Sequence, residues 1–314
     1  MSDEFARIAR LTRLLQSTAP QIELGIGDDA AILRRPEGRV VLSVDASVEN
    51  VHFRREFAAL DVIGARAFSA AVSDLAAMGA QPTAALTAVC LRASTSDEEL
   101  MALMTGVAAA AQRYACPVVG GNLSQASELS ITTTVVGELC GRALTRSGAR
   151  AGDGIYVTGT LGAAGLGLLL LQRGQAQREP RFVERWRNPT AQLALGQRLL
   201  QLATAAIDVS DGALQDLEHL CDASGVGAVL DAPAIPLLPG FAELARSVGR
   251  DPIELALCGG EDYELLFTAS DHALAQTLGT RIGVATRQAG ELRVRDAHGQ
   301  AIELQHRGYR HFEG

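Results

Sequence analysis

Apolar residues recur every three or four positions in several stretches of the chain, and short aliphatic runs lie between those stretches. The first pattern predicts amphipathic helices and the second predicts buried strands. Ser96 and Glu99 form a capping box at the start of one predicted helix, and Gly79 follows the end of another. In the first half we predict a helix that opens at Phe5 and ends before Pro20, helices at 61–78 and 97–114, strands at 40–44, 83–91 and 129–139, and a turn at Gly120-Gly121-Asn122.

The second half continues the alternation of strands and helices after a glycine-rich join at 148–154. Residues 173–187 are polar and rich in arginine, and we predict a solvated, mobile connection there. The predicted elements are strands at 155–158, 205–208 and 263–268, a helix that opens at 159–165, helices at 191–202, 213–221 and 241–248, and a turn at 259–262.

The composition favours an α/β protein of two domains. The chain has 314 residues, which exceeds the usual size of a single hydrophobic core. It is 47% hydrophobic but only 4% aromatic, so aliphatic side chains must do most of the packing. We place the domain boundary at the glycine-rich join, giving domains at 1–147 and 148–314.

Charge and cysteine content argue against several classes of protein. The formal net charge is -8, which gives no electrostatic reason to bind nucleic acid. No apolar run reaches the roughly 18 residues of a membrane span, and the amino terminus does not resemble a secretion signal. The five cysteines are an odd number without CxxC spacing, which fits reduced thiols. We therefore expect a cytoplasmic protein without nucleic-acid or membrane partners.

Short motifs that contain an aspartate or an asparagine recur at six separated points, glycine stands in four of them, and the chain contains no lysine. A P-loop and a protein-kinase site both need a lysine to reach the phosphates, so neither is possible here. Clustered carboxylates are costly unless cations compensate them, and oxygen ligands suit Mg²⁺. This pattern favours phosphates held by magnesium and arginine. The six points are 25–29, 43–45, 73–74, 120–122, 208–212 and 259–262.

These motifs, in this order, resemble the thiamine-monophosphate kinase family. The likeness is carried by Gly25-Ile26-Gly27-Asp28-Asp29, by 43–45 with 51–53, by 73–80, by 207–212, and by 259–265 with 308–312. It implies the fold of aminoimidazole ribonucleotide synthetase, with an amino-terminal domain that dimerises through its sheet and an α/β carboxy-terminal domain. The implied activity is direct transfer of the γ-phosphoryl group of ATP to thiamine monophosphate, and ATP would lie between subunits or domains.

The resemblance also implies roles for particular residues. Several magnesium ions would be held by Asp29, Ser43, Val44, Asp45, Asp74, Asn122, Asp208 and Asp211. ATP would be contacted by Gly121, Asn122, Arg146 and Ser210. Thiamine monophosphate would be contacted by His52, Glu261 and Tyr309. Asp45, Asp74, Asp211 and Arg146 would support the transfer itself.

Two positions depart from the family pattern, and other functions stay open. Val44 stands where threonine is frequent, although its backbone carbonyl is unaffected, and Asn122 replaces an aspartate and brings no negative charge. The same fold serves selenophosphate synthetase and a hydrogenase maturation factor, but the cysteine positions fit neither. A silent ATP-binding scaffold and a two-metal phosphohydrolase are alternatives from other classes. His52 also has a purely structural interpretation as a partly buried strand residue.

Overall fold

The computed structural model describes residues 4–27, 30–34, 37–306 and 308–309, with side chains from Ala6 onward. The chain divides into two compact units, Met1–Leu75 with Ala80–Gly141, and Ala76–Gly79 with Arg142–Gly314. The proposed domain boundary at 147/148 lies in the segment without helix or strand that joins the last strand of the first unit to the first strand of the second.

The first unit is built on a four-stranded sheet with strand order β3-β6-β4-β5. Strand β6 runs antiparallel to both β3 and β4, whereas β5 runs parallel to β4. Its elements are α1 (Glu4–Leu15), β1 (Ile22–Leu24), β2 (Ile32–Leu33), β3 (Arg39–Val48), α2 (Leu60–Met78), β4 (Gln81–Leu91), α3 (Asp97–Arg113), β5 (Val118–Gln125) and β6 (Ser130–Leu139).

The two faces of this sheet differ because side chains alternate along each strand. On one face Ile131 and Val135 are buried, and Leu75 of α2 lies against Gly137 of β6. On the other face Val40, Leu42 and Val44 remain more than half exposed, and Leu86 in β4 is 42% exposed. The second face is therefore an open, apolar sheet surface.

The second unit is built on a seven-stranded sheet with strand order β13-β12-β9-β11-β7-β10-β8. All of its pairings are antiparallel except β12 with β9. Its elements are β7 (Gly154–Val157), α4 (Ala163–Gln172), α5 (Pro180–Arg187), α6 (Leu193–Leu199), β8 (Ala205–Asp208), α7 (Ala213–Ser224), β9 (Gly227–Asp231), a short 3₁₀ helix (Ala232–Ala234), α8 (Phe241–Ser247), α9 (Pro252–Cys258), β10 (Leu265–Ala269), α10 (His272–Ala275), β11 (Thr280–Thr286), β12 (Leu292–Arg295) and β13 (Ala301–Ile302).

The mixed α/β architecture expected from the sequence is confirmed, and two local predictions are wrong. Gly120-Gly121-Asn122 is not a turn, because β5 continues through these residues in register with β4. The segment 173–187 is not a solvated connection throughout. It contains helix α5, in which Phe182, Val183 and Trp186 are buried.

Among the described residues, no helix is both long enough and apolar enough to cross a membrane.

Candidate active site

Strand β3 and helix α2 bring together three of the predicted magnesium ligands in the first unit. The Ser43 hydroxyl donates a hydrogen bond to the Asp74 carboxylate. Burial raises the pKa of Asp45, and the negative charge of Asp74 adds to this effect, while the Ala46 N–H, His52 and Arg66 oppose it. The two carboxylates therefore repel each other in a partly buried position, which is an arrangement that a divalent cation relieves.

Val44 lies between these residues but its side chain is on the opposite face of the sheet, where it is 62% exposed. Because successive side chains of a strand point to opposite faces, the Val44 side chain does not join Ser43 and Asp45. Its backbone oxygen is the atom that the family resemblance assigns to magnesium, and that role stays a prediction.

His52 lies in the short connection after β3, close to the carboxylate pair. The backbone N–H of Val48 donates to His52 Nδ1 at 3.0 Å. Since Nδ1 accepts this bond, a neutral His52 ring carries its proton on Nε2. This backbone contact fixes one side of the ring, and the proposed contact of His52 with substrate stays a prediction. His52 is partly buried, but it does not lie in a strand as its structural interpretation had it, because β3 ends at Val48.

Gly121 and Asn122 lie on β5, at the opposite edge of the same sheet from β3. Gly121 pairs with Thr87, Thr87 with Thr133, and Thr133 with Asp45, so three strand spacings separate Gly121 from Asp45. That distance is about 14 Å. The first unit by itself therefore does not bring Asn122 together with Asp45 and Asp74 around one ion.

Gly121 also has a structural reason to be glycine. A Cβ at this position would lie 1.9 Å from the carbonyl oxygen of Thr87, which no side chain tolerates. The close approach of β5 to β4 requires this glycine independently of any nucleotide.

In the second unit, Asp208 ends strand β8 and Ser210 and Asp211 form the turn into α7. The carboxylate of Asp216, in the first turn of α7, accepts hydrogen bonds from the backbone N–H groups of Ser210 and Gly212 at 3.1 and 3.2 Å. Gly212 has φ 128°, a value that side chains rarely adopt. Asp216 thus holds the turn that carries the predicted ligands.

Asp216 is itself an unusual acid. Burial raises its pKa to about 8, and the neighbouring charges of Asp208 and Asp211 add to the shift. Three acidic side chains therefore interact around this turn, of which the sequence singled out only two. In the sequence, Asp216 is only an aspartate in the first turn of a helix. An acid at that position is ordinarily explained by its favourable interaction with the helix dipole.

Glu261 and Tyr309 join this turn although they lie about 50 and 100 residues further along the chain. The Glu261 N–H donates to the Ser210 carbonyl at 2.7 Å, and the Tyr309 N–H donates to the Asp211 carbonyl at 3.0 Å. The Gln215 amide bridges the Asp211 carboxylate and the Tyr309 carbonyl at 3.2 and 3.0 Å. The predicted ATP, magnesium and substrate positions of the second unit therefore converge.

A cavity of about 270 Å³ opens beside this convergence. Tyr309 contributes to its wall together with Cys258, Glu254 and His306, and His306 Nδ1 lies 2.6 Å from the Glu254 carboxylate. The Tyr309 side chain is 46% exposed, so part of its ring remains open to a ligand. The cavity is near the lower size limit of small-molecule sites.

The segment that follows α9 adopts a strained path. Gly260, Glu261 and Tyr263 have φ values of 65°, 61° and 51°. Such values cost energy for residues other than glycine, and they persist where surrounding contacts fix the chain. The Tyr263 N–H donates to the Val209 carbonyl at 2.8 Å, which provides one of these contacts.

Asp262, between the strained residues, caps helix α4 from a distance of 100 residues along the chain. Its buried carboxylate accepts from the N–H groups of Gly162 at 2.6 Å and Ala164 at 3.2 Å. The N-cap residue Gly162 has no side chain to do this. Asp262 therefore ties the strained segment to the start of α4.

The stability of the protein is expected to fall with rising pH because of Asp262. Burial raises the pKa of Asp262 to about 7, although the two N–H donors oppose the shift. The unfolded carboxyl titrates near 4, so the folded state holds an extra proton between about pH 4 and 7, and its stabilising effect is lost over that range. In Mg²⁺-free denaturant titrations, wild type should lose up to about 1.4 kcal/mol per pH unit relative to Asp262→Asn. A difference between the two proteins that stays constant from pH 5 to 7 would contradict this assignment.

Arg146 lies in the exposed segment before β7. The preceding Thr145 carbonyl accepts from the Ala206 N–H at 2.9 Å, and the Arg146 carbonyl accepts from the Ser224 hydroxyl at 2.9 Å. Its backbone is therefore held beside strand β8, the strand that ends at Asp208. The role of its side chain towards phosphate stays a prediction.

The remaining predicted ligand, Asp29, lies outside the described residues, as do Asp28 and the terminal Arg310 to Phe312 of the family motif. Within the part of the chain that the structure describes, no group of three or more His, Cys, Asp or Glu side chains is placed to hold a metal ion by itself. Mg²⁺ is commonly bound by one or two carboxylates together with substrate phosphates and water. The Asp45 and Asp74 pair fits that pattern of incomplete protein ligation.

Comparisons with known proteins agree with the two-unit division. Residues 27–139 match the family model of the AIR synthase related protein, N-terminal domain, and residues 150–289 match that of its C-terminal domain. Thiamine-monophosphate kinase of Salmonella typhimurium strain LT2 is 37% identical over 98% of each chain. The structure of AaThiL complexed with AMPPCP and TMP is 34% identical, with a TM-score of 0.81 over 98% of this chain and 97% of that one. Thiamine-monophosphate kinase from Stenotrophomonas maltophilia K279a is 37% identical, with a TM-score of 0.82 over 95% of this chain and 98% of that one.

Proposed function

Because the chain belongs to the AIR synthase related family, and within it to the thiamine-monophosphate kinases, we propose that it phosphorylates thiamine monophosphate to thiamine diphosphate with ATP. The observation that carries this proposal is the convergence of Ser210, Asp211, Glu261 and Tyr309. These residues match the family motifs, and hydrogen bonds join Glu261 and Tyr309 to the Ser210-Asp211 turn although both lie far from it in the sequence. Backbone atoms of the four residues take part in these contacts, so the fold itself holds the positions together, and the match of their side chains to the family motifs supports the functional assignment.

The proposed reaction is direct. A phosphate oxygen of thiamine monophosphate forms a bond to the γ-phosphorus of ATP while the bond between that phosphorus and the β,γ-bridging oxygen breaks, and ADP leaves with that oxygen. The second pKa of a phosphate monoester is about 6, so the attacking oxygen is largely deprotonated near neutral pH. No general base is required, and no side chain becomes phosphorylated.

The main obstacle to the reaction is repulsion between two polyanions, ATP and thiamine monophosphate. The acidic residues would reduce this repulsion indirectly, by binding magnesium. We assign Asp45 and Asp74 in the first unit, and Asp208 and Asp211 in the second, to magnesium, with Ser43, the Val44 carbonyl, Asn122 and Asp29 as further ligands. Bound magnesium would neutralise phosphate charge and orient the reacting groups. The mutual repulsion of Asp45 and Asp74 supports this assignment, because it leaves a carboxylate pair that favours a cation.

The other proposed residues bind and orient. Gly121, Asn122, Arg146 and Ser210 are assigned to ATP, with Arg146 compensating phosphate charge. His52, Glu261 and Tyr309 are assigned to thiamine monophosphate. The Tyr309 ring provides a stacking surface, and Glu261 provides a negative charge for the cationic part of thiamine.

Binding measurements test the choice of acceptor separately from turnover. With a non-hydrolysable ATP analogue and Mg²⁺ present, we expect calorimetry to show tighter binding of thiamine monophosphate than of thiamine, because the phosphate adds contacts to cations. Omitting Mg²⁺ should remove most of that difference. Equal affinity for the two compounds in both conditions would contradict the proposed acceptor.

We further propose a homodimer formed through the open face of the first unit's sheet. Val40, Leu42, Val44 and Leu86 form an exposed apolar surface on this face. A patch of this kind on a soluble protein marks an interaction surface. In such a dimer the β5 edge of one copy could lie near the β3 edge of the other. Within one copy these two strands lie at opposite edges of the sheet.

The substitution Leu42→Glu is expected to convert the dimer into monomers, because it places a charge in the centre of the apolar face. Sedimentation equilibrium measures this directly. The matched control is Leu274→Glu, since Leu274 is also exposed, at 47%, but lies on α10 in the second unit. A Leu42→Glu protein that sediments as wild type would contradict the proposed interface.

We place the reaction in the cytoplasm, where ATP is available and thiols stay reduced. All five cysteines are free thiols in the structure. Three of them, Cys116, Cys221 and Cys258, have a pKa raised to about 12, mainly by burial. Such thiols are poor nucleophiles and fit a structural rather than a redox role.

A further inference from the structure

Helix α5 carries the chain's single tryptophan, and this residue contacts a proposed substrate ligand. The Trp186 indole Nε1–H donates a hydrogen bond to Glu261 Oε2 at 2.6 Å. Tryptophan is only a donor at this atom, and a carboxylate acceptor makes the bond charge-assisted and short. The contact therefore holds the Glu261 side chain in one orientation.

Glu261 needs such a contact more than an ordinary surface acid does. Its backbone has φ 61°, and the preceding Gly260 and Tyr263, two residues further on, are also in the left-handed region. Its N–H is fixed to Ser210, so the backbone is anchored near the Asp211 turn. The backbone alone does not set the direction of a side chain with three rotatable bonds, and the indole N–H supplies that restraint.

Helix α5 is a rigid support for this purpose. Phe182 and Trp186 are fully buried, and α4 packs so closely that a Cβ at Gly167 would lie 2.1 Å from the Phe182 carbonyl oxygen. The neighbouring Arg185 donates to the buried Glu264 carboxylate at 3.0 Å. Two successive residues of α5 therefore bind two acids of the segment 261–264.

We propose that Trp186 is a positioning residue, which orients the Glu261 carboxylate towards the cationic part of the acceptor. This inference rests on the proposed function, because it takes Glu261 as a ligand of thiamine monophosphate. Trp186 acts through Glu261 and not through the transferred phosphoryl group. It should therefore affect recognition of the acceptor and leave the handling of ATP unchanged.

The variant Trp186→Phe keeps an aromatic ring in the buried position but removes the N–H donor. We expect the KM for thiamine monophosphate to rise about ten-fold, the loss typical of a hydrogen bond to a charged group. The kcat and the KM for ATP should stay within about two-fold of wild type. The matched control is Phe182→Leu on the same helix, which loses buried packing and stability but should leave the KM for thiamine monophosphate unchanged.

A double variant separates action through Glu261 from a general effect on folding. Glu261→Gln alone should also raise the KM for thiamine monophosphate, because the cationic part of this substrate loses its counter-charge. If Trp186 works through the Glu261 carboxylate, adding Trp186→Phe to Glu261→Gln should raise this KM much less than it does in the wild-type background. Independent, multiplying effects would overturn the inference.

Fluorescence provides a second readout that does not depend on turnover or on the folding of Trp186→Phe. Because Trp186 is the single tryptophan, the emission reports on the surroundings of this one side chain, which include the contact with Glu261. Glu261→Ala removes the acceptor and should shift the emission maximum, whereas Glu254→Ala, in the same unit, should not. An unchanged spectrum in Glu261→Ala would overturn the inference.

The failure of the proposed function and the failure of this inference give different results. Absence of turnover in the wild type would refute the proposed function. A wild-type KM for thiamine monophosphate in an active Trp186→Phe enzyme would refute the inference alone.

Discussion

Replacing Asp45 by asparagine is expected to reduce kcat by about 10³-fold or more, the scale of losing a charge that stabilises a transferring phosphoryl group. Asparagine keeps the shape of the side chain but removes the negative charge that the proposed magnesium site requires. The assay is formation of ADP and thiamine diphosphate at saturating substrates. The control Asp61→Asn removes an exposed acid from the first turn of α2, which also carries Asp74, and should leave kcat within about two-fold.

The same substitution should not destabilise the free protein, which separates a functional from a structural role. The pKa of Asp45 is raised by burial and by Asp74, so the folded state disfavours its charged form. A neutral side chain therefore removes repulsion, and the Tm of Asp45→Asn in Mg²⁺-free buffer should equal or exceed that of wild type. The gain in Tm on adding Mg²⁺ and ATP should be smaller than in wild type. A variant that is active, or that is inactive only because it unfolds, would contradict the assignment.

Asp262→Ala is expected to lower the free energy of unfolding by about 2–4 kcal/mol, because it leaves the N–H groups of Gly162 and Ala164 buried without their acceptor. Relief of the buried carboxylate offsets part of this cost, which is why the value stays below the sum of two lost charged hydrogen bonds. The measurement is urea unfolding near pH 7 without Mg²⁺. The KM for thiamine monophosphate should also rise, because the segment that holds Glu261 loses its attachment to α4.

The control for this substitution is Asp251→Ala. Asp251 caps α9 in the usual local way, accepting from the N–H groups of Ile253 and Glu254, and it is exposed. Loss of such a cap costs about 1 kcal/mol. If Asp262→Ala costs no more than Asp251→Ala, the long-range cap contributes nothing beyond an ordinary one.

Features set by neighbouring residues could be predicted from the sequence. The capping box of Ser96 and Glu99 is confirmed, with reciprocal hydrogen bonds of 3.2 and 2.8 Å. Helix α2 ends at Met78 as expected, and Gly79 follows it with φ 69°. In both cases the determining contacts lie within a few residues, so the local pattern is sufficient.

Features set by tertiary pairing could not be predicted in the same way. Gly120 and Gly121 are typical turn residues, yet strand β4 pairs with them and imposes an extended conformation, which Gly121 permits because it has no Cβ. The cap that Asp262 provides depends on Gly162, 100 residues away. Composition alone gave no means of finding that pair.

Helix α5 is a different case, because its signal was present in the sequence. Phe182, Val183 and Trp186 follow a helical spacing, and Pro180 occupies the first turn. The surrounding arginines and glutamines suggested a solvated segment and outweighed these three apolar positions. The error also concealed Arg185 and Trp186, the two residues that contact the acids of the segment 261–264.

Product analysis with two acceptors tests the central claim most directly. The purified protein is incubated with ATP, Mg²⁺ and either thiamine monophosphate or thiamine, and ADP and thiamine diphosphate are followed by chromatography. We expect equimolar ADP and thiamine diphosphate with the monophosphate, and neither product above background with thiamine. ADP release without thiamine diphosphate would indicate another acceptor or a phosphohydrolase, and ATP binding without turnover would indicate a silent scaffold. Either result would contradict the proposed kinase.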